Sequence, residues 1–326
     1  MKNMKQNKLH ALVIGALFLV CSTTTVLAAD KDPLAPPPAV KSSIASTAQI
    51  IGSAWAGDNI VAVGDHGIVL ISSDQGASYH QASNVPISSQ LNAVSFINAK
   101  QGWAAGHLGA ILATQDGGET WQIQRIDTAN DRPLYSIHFF DEQHGVAVGL
   151  WSMILTTTDG GKTWSEQKIA PPPNARKADL NLLSLFPGNG QTIYATAERG
   201  FLLSSKDRGL TWSYIDTGYK GTLWSGATLH NGDFVLGGQR GHAMRGRPGS
   251  SWTTIPLKTT NSITDIATNG AFVAIVGLDG MVAVSNDDGK QFDITPLTDG
   301  SSLTSVLLTK TGQPILFSRR GPVVKK

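Results

Sequence analysis

The residues of this sequence best suited to do chemistry recur at a regular interval. An S/T-x-D-x-G-x-T-W motif occupies 114–121, 157–164 and 205–212. A near copy at 72–79 has Ser78 and Tyr79 in place of Thr-Trp, a looser copy surrounds Asp287, and the copy at 245–252 has lost the acid but kept Gly249 and Trp252. An Asp in this setting accepts hydrogen bonds from the N–H groups of its own turn, and the Gly two residues later supplies a permissive backbone. The Thr hydroxyl can close the loop. A catalytic or metal-binding acid is needed once, whereas these recur with every repeat. Asp74, Asp116, Asp159, Asp207 and Asp287 are therefore read as structural acids buried in turn hydrogen bonds. Trp121, Trp164 and Trp212 are expected to cover the gap toward the next repeat.

Other reactive constellations are missing from the sequence. The histidines beyond the N-terminal segment are at 66, 80, 107, 138, 144, 230 and 242, with no H-x-H or H-E-x-x-H spacing. His66 and His107 hold equivalent places in adjacent repeats, but two ligands do not make a metal site. The one cysteine, Cys21, lies in the leader described below. The G-x-x-G turns lack the strand-to-helix context of a phosphate cradle. Neither metal nor cofactor is expected.

The elements that carry these motifs follow from the repeat. The second glycine position of G-x-x-G falls at Gly67, Gly109, Ser152, Gly200, Gly241, Gly280 and Gly321, in steps of 42, 43, 48, 41, 39 and 41 residues. A period near 40 with alternating apolar residues, and no stretch with a 3.6-residue period, describes four short strands per repeat. The expected fold is all-β, a seven-bladed propeller of four-stranded antiparallel blades. Strand A is the opening run (LNAVSF in blade two), B the WAAG or VAVG run, C the AILAT or MILTT run, and D begins at the motif Trp. The seventh copy supplies A, B and C only. Residues 39–47 are expected to pair as its outer strand, closing the ring and covering an open edge.

The N-terminus reads as a leader. Lys2, Lys5 and Lys8 precede an uncharged apolar run at 11–21, and Val26-Leu27-Ala28 offers a small-residue cleavage site. The run is too short for the ~20 residues that span a bilayer. The layout is thus a signal peptide at 1–28, a Pro-rich linker at 29–38 and one propeller at 39–326, with a periplasmic destination. Removing three lysines from 26 basic residues leaves 23 against 24 acids, a net charge of −1. That balance gives no basis for nucleic-acid binding.

The blade consensus L-x-x-V-x-F…G-x-A-V-G-x-x-G-x-I-L…D-G-G-x-T-W resembles the photosystem II stability/assembly factor family of chloroplasts and cyanobacteria, within the wider set of Asp-box repeat proteins that includes sialidases. The resemblance covers nearly all of the chain after the leader. It implies a seven-bladed, non-enzymatic assembly factor with an arginine patch on one face. Two features depart from that family. The leader is of a short bacterial type without a bipartite transit peptide, and the lipidation site common in cyanobacterial members is absent. Both point to a periplasmic relative.

Antiparallel A-B-C-D blades place B–C turns and D–A loops on one face and the Asp boxes on the other. The first face collects His66, His107, Trp151, Arg199, Arg240, Arg319 and Arg320 from turns, and Arg125, Arg132, Arg176, Lys177 and Lys220 from loops. A basic rim on a nearly neutral protein suggests docking of an acidic surface of an exported or inner-membrane protein. The rival reading is an Asp-box glycoside hydrolase or glycan-binding propeller. Such an enzyme needs a pair of acids about 5–9.5 Å apart, and Asp65 with Asp279 is the pair the blade order leaves open.

Overall fold

The computed structural model describes residues 36–324, so the leader and most of the linker lie outside the described residues. Seven antiparallel sheets form seven blades. Blade two shows the unit: Leu91–Phe96 (A), Gly102–Gly106 (B), Ile111–Thr114 (C) and Gln122–Arg125 (D) pair in sequence order. The other A strands are Ile50–Ala56, Leu134–Phe139, Leu182–Pro187, Leu223–Thr228, Ile263–Asn269 and Leu303–Leu308. Each packs against the A strand of the blade before and after it, including the last against the first. The A strands therefore line a central channel. D strands start one residue after the motif aromatic, as with Gln122 after Trp121.

The B strands are buried along almost their whole length, because both faces of a blade meet neighbouring blades. This explains why they read as continuous small-apolar runs rather than as alternating ones. The core is a series of apolar layers between blades. In one of them Trp103 of blade two stacks on Phe139 of blade three, with ring centres 3.5 Å apart. Trp121 joins the layer between blades one and two, Trp164 that between two and three, and Trp212 that between three and four. The motif aromatic therefore faces the preceding blade, not the next one. The reason is local: the Asp-box turn folds its glycine, such as Gly118, onto Val61 of blade one.

The N-terminal segment does not form the expected strand. Blade seven has three strands, Leu303–Leu308, Pro314–Ser318 and Gly321–Val323, and Ala45–Thr47 is a single 3-10 turn. Two contacts decide this. The Ala39 N–H donates to the Val85 carbonyl at 3.0 Å, and the Gln81 side chain accepts from the Ser42 N–H and donates to the Val40 carbonyl. Residues 39–42 are thus held against blade one, while the turn at 45–47 packs beside Gly321–Val323 of blade seven without pairing to it as a strand. Closure comes instead from the A strands: Thr304 Oγ1 donates to the Ile50 carbonyl, Ser53 and Ser305 share a 2.8 Å hydroxyl bond, and Trp55 Nε1 donates to the Leu308 carbonyl.

Candidate docking face and channel

The Asp boxes fix the blades from the far face. In blades one to four the opening Ser or Thr hydroxyl donates to one Asp oxygen at 2.7–2.8 Å. The later Thr or Ser donates to the carboxylate twice, from its N–H at 2.9 Å and its hydroxyl at 2.6 Å. These bonds hold the Asp74 and Asp159 carboxyls down at about 2. Asp287 keeps the backbone bonds to Lys290 and Gln291 but has Gln291 where the hydroxyl would stand. The acids are not buried: Asp74 and Asp116 are exposed and Asp159, Asp207 and Asp287 half-exposed. The turn needs only their oxygens, so the acid can bond inward while facing water. Blade five, which lacks the acid, uses a different clasp. Arg245 reaches Asp233 of its own blade at 3.1 Å and the Asp288 carbonyl of blade six at 2.8 Å.

On the opposite face the B–C turns of blades one to five are tight 3-10 turns after an extended residue, and those of blades six and seven are ordinary turns. A side-chain carbon at Gly106 would stand 2.0 Å from the Gln90 carbonyl, so the A strand's approach demands glycine there. The next positions carry an unexpected cost. His66, Leu108, Trp151, Arg199, Arg240 and Asp279 all have φ between 53° and 59°, a left-handed conformation that disfavours L side chains by about 1–2 kcal/mol. Six blades thus hold a non-glycine residue at a position that glycine fits best. Strain kept at such positions points to a role for the side chains. Trp151 is 61% exposed.

The candidate basic residues divide into two groups. Arg125 donates to the Gly109 carbonyl and lies 3.7 Å from Asp127. Arg132 makes a two-pronged pair with Glu166 at 2.9 and 2.8 Å. Both are half-exposed and already paired, which leaves them less free for a partner than the exposed arginines below. Arg199 is exposed and only loosely paired, 3.6 Å from Asp179. Arg176, Arg240, Arg319 and Arg320 are exposed. His66 is exposed, while half-exposed His107 lies 3.6 Å from Asp131. Among the described residues no group of three or more His, Cys, Asp or Glu side chains could hold a metal ion, and no helix is long and apolar enough to cross a membrane.

The channel was not read from the sequence. It encloses about 820 Å³. The second residue after each strand-A start lines it: Gly52, Ala93, Ser136, Ser184, Ser225, Asp265 and Ser305. Three of these side chains work as struts. The inner edge of strand A has no neighbouring strand to accept its N–H groups, and the preceding blade supplies the acceptor. Ser136 Oγ accepts from Leu185 N–H, Ser225 Oγ from Ile266 N–H and Asp265 Oδ2 from Val306 N–H. Asp265 also accepts from Ser225 and Ser305. Its carboxyl lines the void half-buried, and desolvation by the surrounding protein pushes it up despite four hydrogen bonds. An acid in register with Gly, Ala and Ser was the signal in the sequence that marks it.

The fold and its Asp-box turns define a seven-bladed β-propeller. Residues 80–136 and 121–222 match the model of the family described as photosynthesis system II assembly factor YCF48, so this part of the chain is similar to that family. A solved structure described as YCF48 bound to D1 peptide superposes with a TM-score of 0.69 at 18% identity, over 89% of this chain and 100% of that one. YCF48 from Cyanidioschyzon merolae gives 0.68 at 16%, over 85% and 94%. The WD40 repeats of RRP9 give 0.66 at 11%, over 88% and 93%. At these identities the superpositions show a shared fold. No curated protein matches the chain in sequence.

Proposed function

We propose that this propeller is a non-enzymatic binding scaffold, exported to the periplasm, that docks an exported or inner-membrane protein on its B–C face. The observation that carries the reading is the ring of strained, non-glycine turn residues, bearing Trp151 and the exposed arginines Arg199 and Arg240. A rigid ring presents such side chains already ordered, which lowers the entropy lost on binding. Arginine suits the role because its planar fork meets carboxylates two-pronged. The leader at 1–28 supports the location. The D1 peptide named with one structural relative supports a membrane-protein segment as the kind of partner. The test is capture from periplasmic and inner-membrane extracts with wild type and the R199E/R240E double variant. Charge reversal should slow association and lose the partner while the melting temperature stays put. Recovery of the same partners by the variant would remove this face from consideration.

A further inference from the structure

The mouth of the channel differs in charge from the rim around it. Of the residues lining the cavity, two are acids, Glu198 and Asp265, and none is Lys or Arg. Asp265 is occupied as a strut, with both oxygens accepting hydrogen bonds from the flanking blades. Glu198 is not so fully engaged. It opens the B–C turn of blade four and accepts two bonds, from Asn181 N–H at 3.0 Å and Asn181 Nδ2 at 3.1 Å. A carboxylate has about four acceptor sites, so capacity remains toward the void.

Two aromatic residues flank this acid. Tyr135 follows the first residue of strand A in blade three, and Trp224 holds the equivalent place in blade five. Both are half-buried and both line the cavity on either side of blade four. Strand A of blade five packs directly on the 198–200 turn. Burial first, and then the Glu198 charge, push the Tyr135 hydroxyl upward, which reports their proximity. A carboxylate with spare lone pairs flanked by two aromatic residues is the chemistry that holds a cation.

We infer that the channel mouth is a socket for one alkylammonium or guanidinium group, seated between Tyr135 and Trp224 over the Glu198 carboxylate. The rim sharpens the selection. Arg199 and Arg240 stand in the same turns as Glu198 and Gln239, one residue further out and exposed. A polycation is repelled there, whereas a single cation flanked by carboxylates satisfies both rim and throat. The group can come from a free amine or from a Lys or Arg side chain within an acidic segment of a docked protein. The second source rests on the docking reading above; the socket itself does not.

The test titrates the leaderless protein with n-butylammonium and with n-butanol, read by tryptophan fluorescence. Saturable binding of the amine alone is expected, weakened about tenfold in E198Q and in W224L, in line with roughly 1–2 kcal/mol for a partly desolvated cation on an aromatic face. Tyr135→Leu, at a position with no role in the 198–200 turn, gives an independent check, and each variant's melting temperature confirms folding. Equal response to butanol, or unchanged amine binding in folded E198Q and Y135L, overturns the socket. A second arm compares the peptides Asp-Glu-Lys-Glu-Asp and Asp-Glu-norleucine-Glu-Asp. Tighter binding of the lysine peptide identifies a protein side chain as the occupant. Butylammonium binding with neither peptide bound leaves a small-amine socket and removes the docking reading. Equal binding of both peptides without butylammonium binding leaves docking and removes the socket.

Discussion

At the scale of single residues, the chemistry of this propeller lies in conformations and protonation states. Trp151 occupies a left-handed turn position at φ 54° with its ring in water. Replacing it by Asn should raise stability by about 1 kcal/mol, because Asn tolerates that region, while weakening partner capture. Denaturant melts and the extract capture described above check both halves. His138 behaves differently. Burial pushes its imidazole down to about 4, and its ring packs edge-on against Phe140 at 4.8 Å. A histidine with a lowered folded pKa stabilises fully above its unfolded value near 6.5, and that contribution is lost as pH falls toward 4. The melting temperature should therefore decline across that window in wild type and decline less in H138Q. A second decline, between pH 4 and 2, belongs to Asp74 and Asp159, whose folded values near 2 lie below the unfolded ones. Asp265 has the opposite sign: raised by burial, it favours the fold in its protonated form, and its contribution is lost as pH rises through its folded pKa. Ser at 265 would restore the strut used in other blades, so D265S should cost less stability than D265L in thermal melts.

At the scale of elements, each of blades one to six is fastened by a clasp whose parts are interchangeable in kind. Asp207→Ala removes the acceptor for two Thr211 donors at the surface and should cost about 1 kcal/mol. Arg245→Ala should cost more, about 2–3 kcal/mol, because partly buried Asp288 would lose its cation and Asp233 would keep only Arg247. Urea titrations of the two variants rank them, and a smaller loss for R245A would count against the cross-blade clasp. The repeats were legible because everything that defines them is local: the hydroxyl, the acid, the glycine and the second hydroxyl all lie within seven residues. The direction of the aromatic was not legible, since it depends on which neighbouring blade the turn folds onto. The pairing of Arg125 and Arg132 was not legible for a related reason. Which residues they meet, the Gly109 carbonyl and Asp127 for one and Glu166 of the next blade for the other, depends on how the D strands and D–A loops pack.

At the scale of the whole molecule, the ring makes sites that no stretch of chain contains. The channel is assembled from two to five residues of each A strand, and along the chain most of those residues look like ordinary apolar or small positions. Only closure brings Tyr135, Glu198 and Trp224 to one mouth. The N-terminal segment was misassigned as a strand on the same account: its choice between the edge of blade seven and the flank of blade one depends on Gln81 and Val85. It still matters to closure, since Ala45 is buried with Ile50, Ile60 and Phe317 where blades seven and one meet. Deleting residues 36–47 should lower stability by about 2 kcal/mol and leave the Gly321–Val323 edge more prone to association. Melting temperature and light scattering measure the two effects.

The seam between the last blade and the first has a consequence for how the chain may be cut. A side-chain carbon on Gly321 would strike the Ser46 carbonyl, just as one on Gly67 would strike Ile87, on Gly200 Tyr219 and on Gly241 Thr259. In each case the struck residue lies four positions before an A strand. Residues 45–49 therefore do for blade seven what an inter-blade loop does elsewhere, although no covalent link joins the two there. At this contact the seam matches three of the continuous junctions. A circular permutant that joins residue 324 to residue 36 through a short linker and opens the 171–177 loop should fold to the same propeller, its new ends falling between blades three and four.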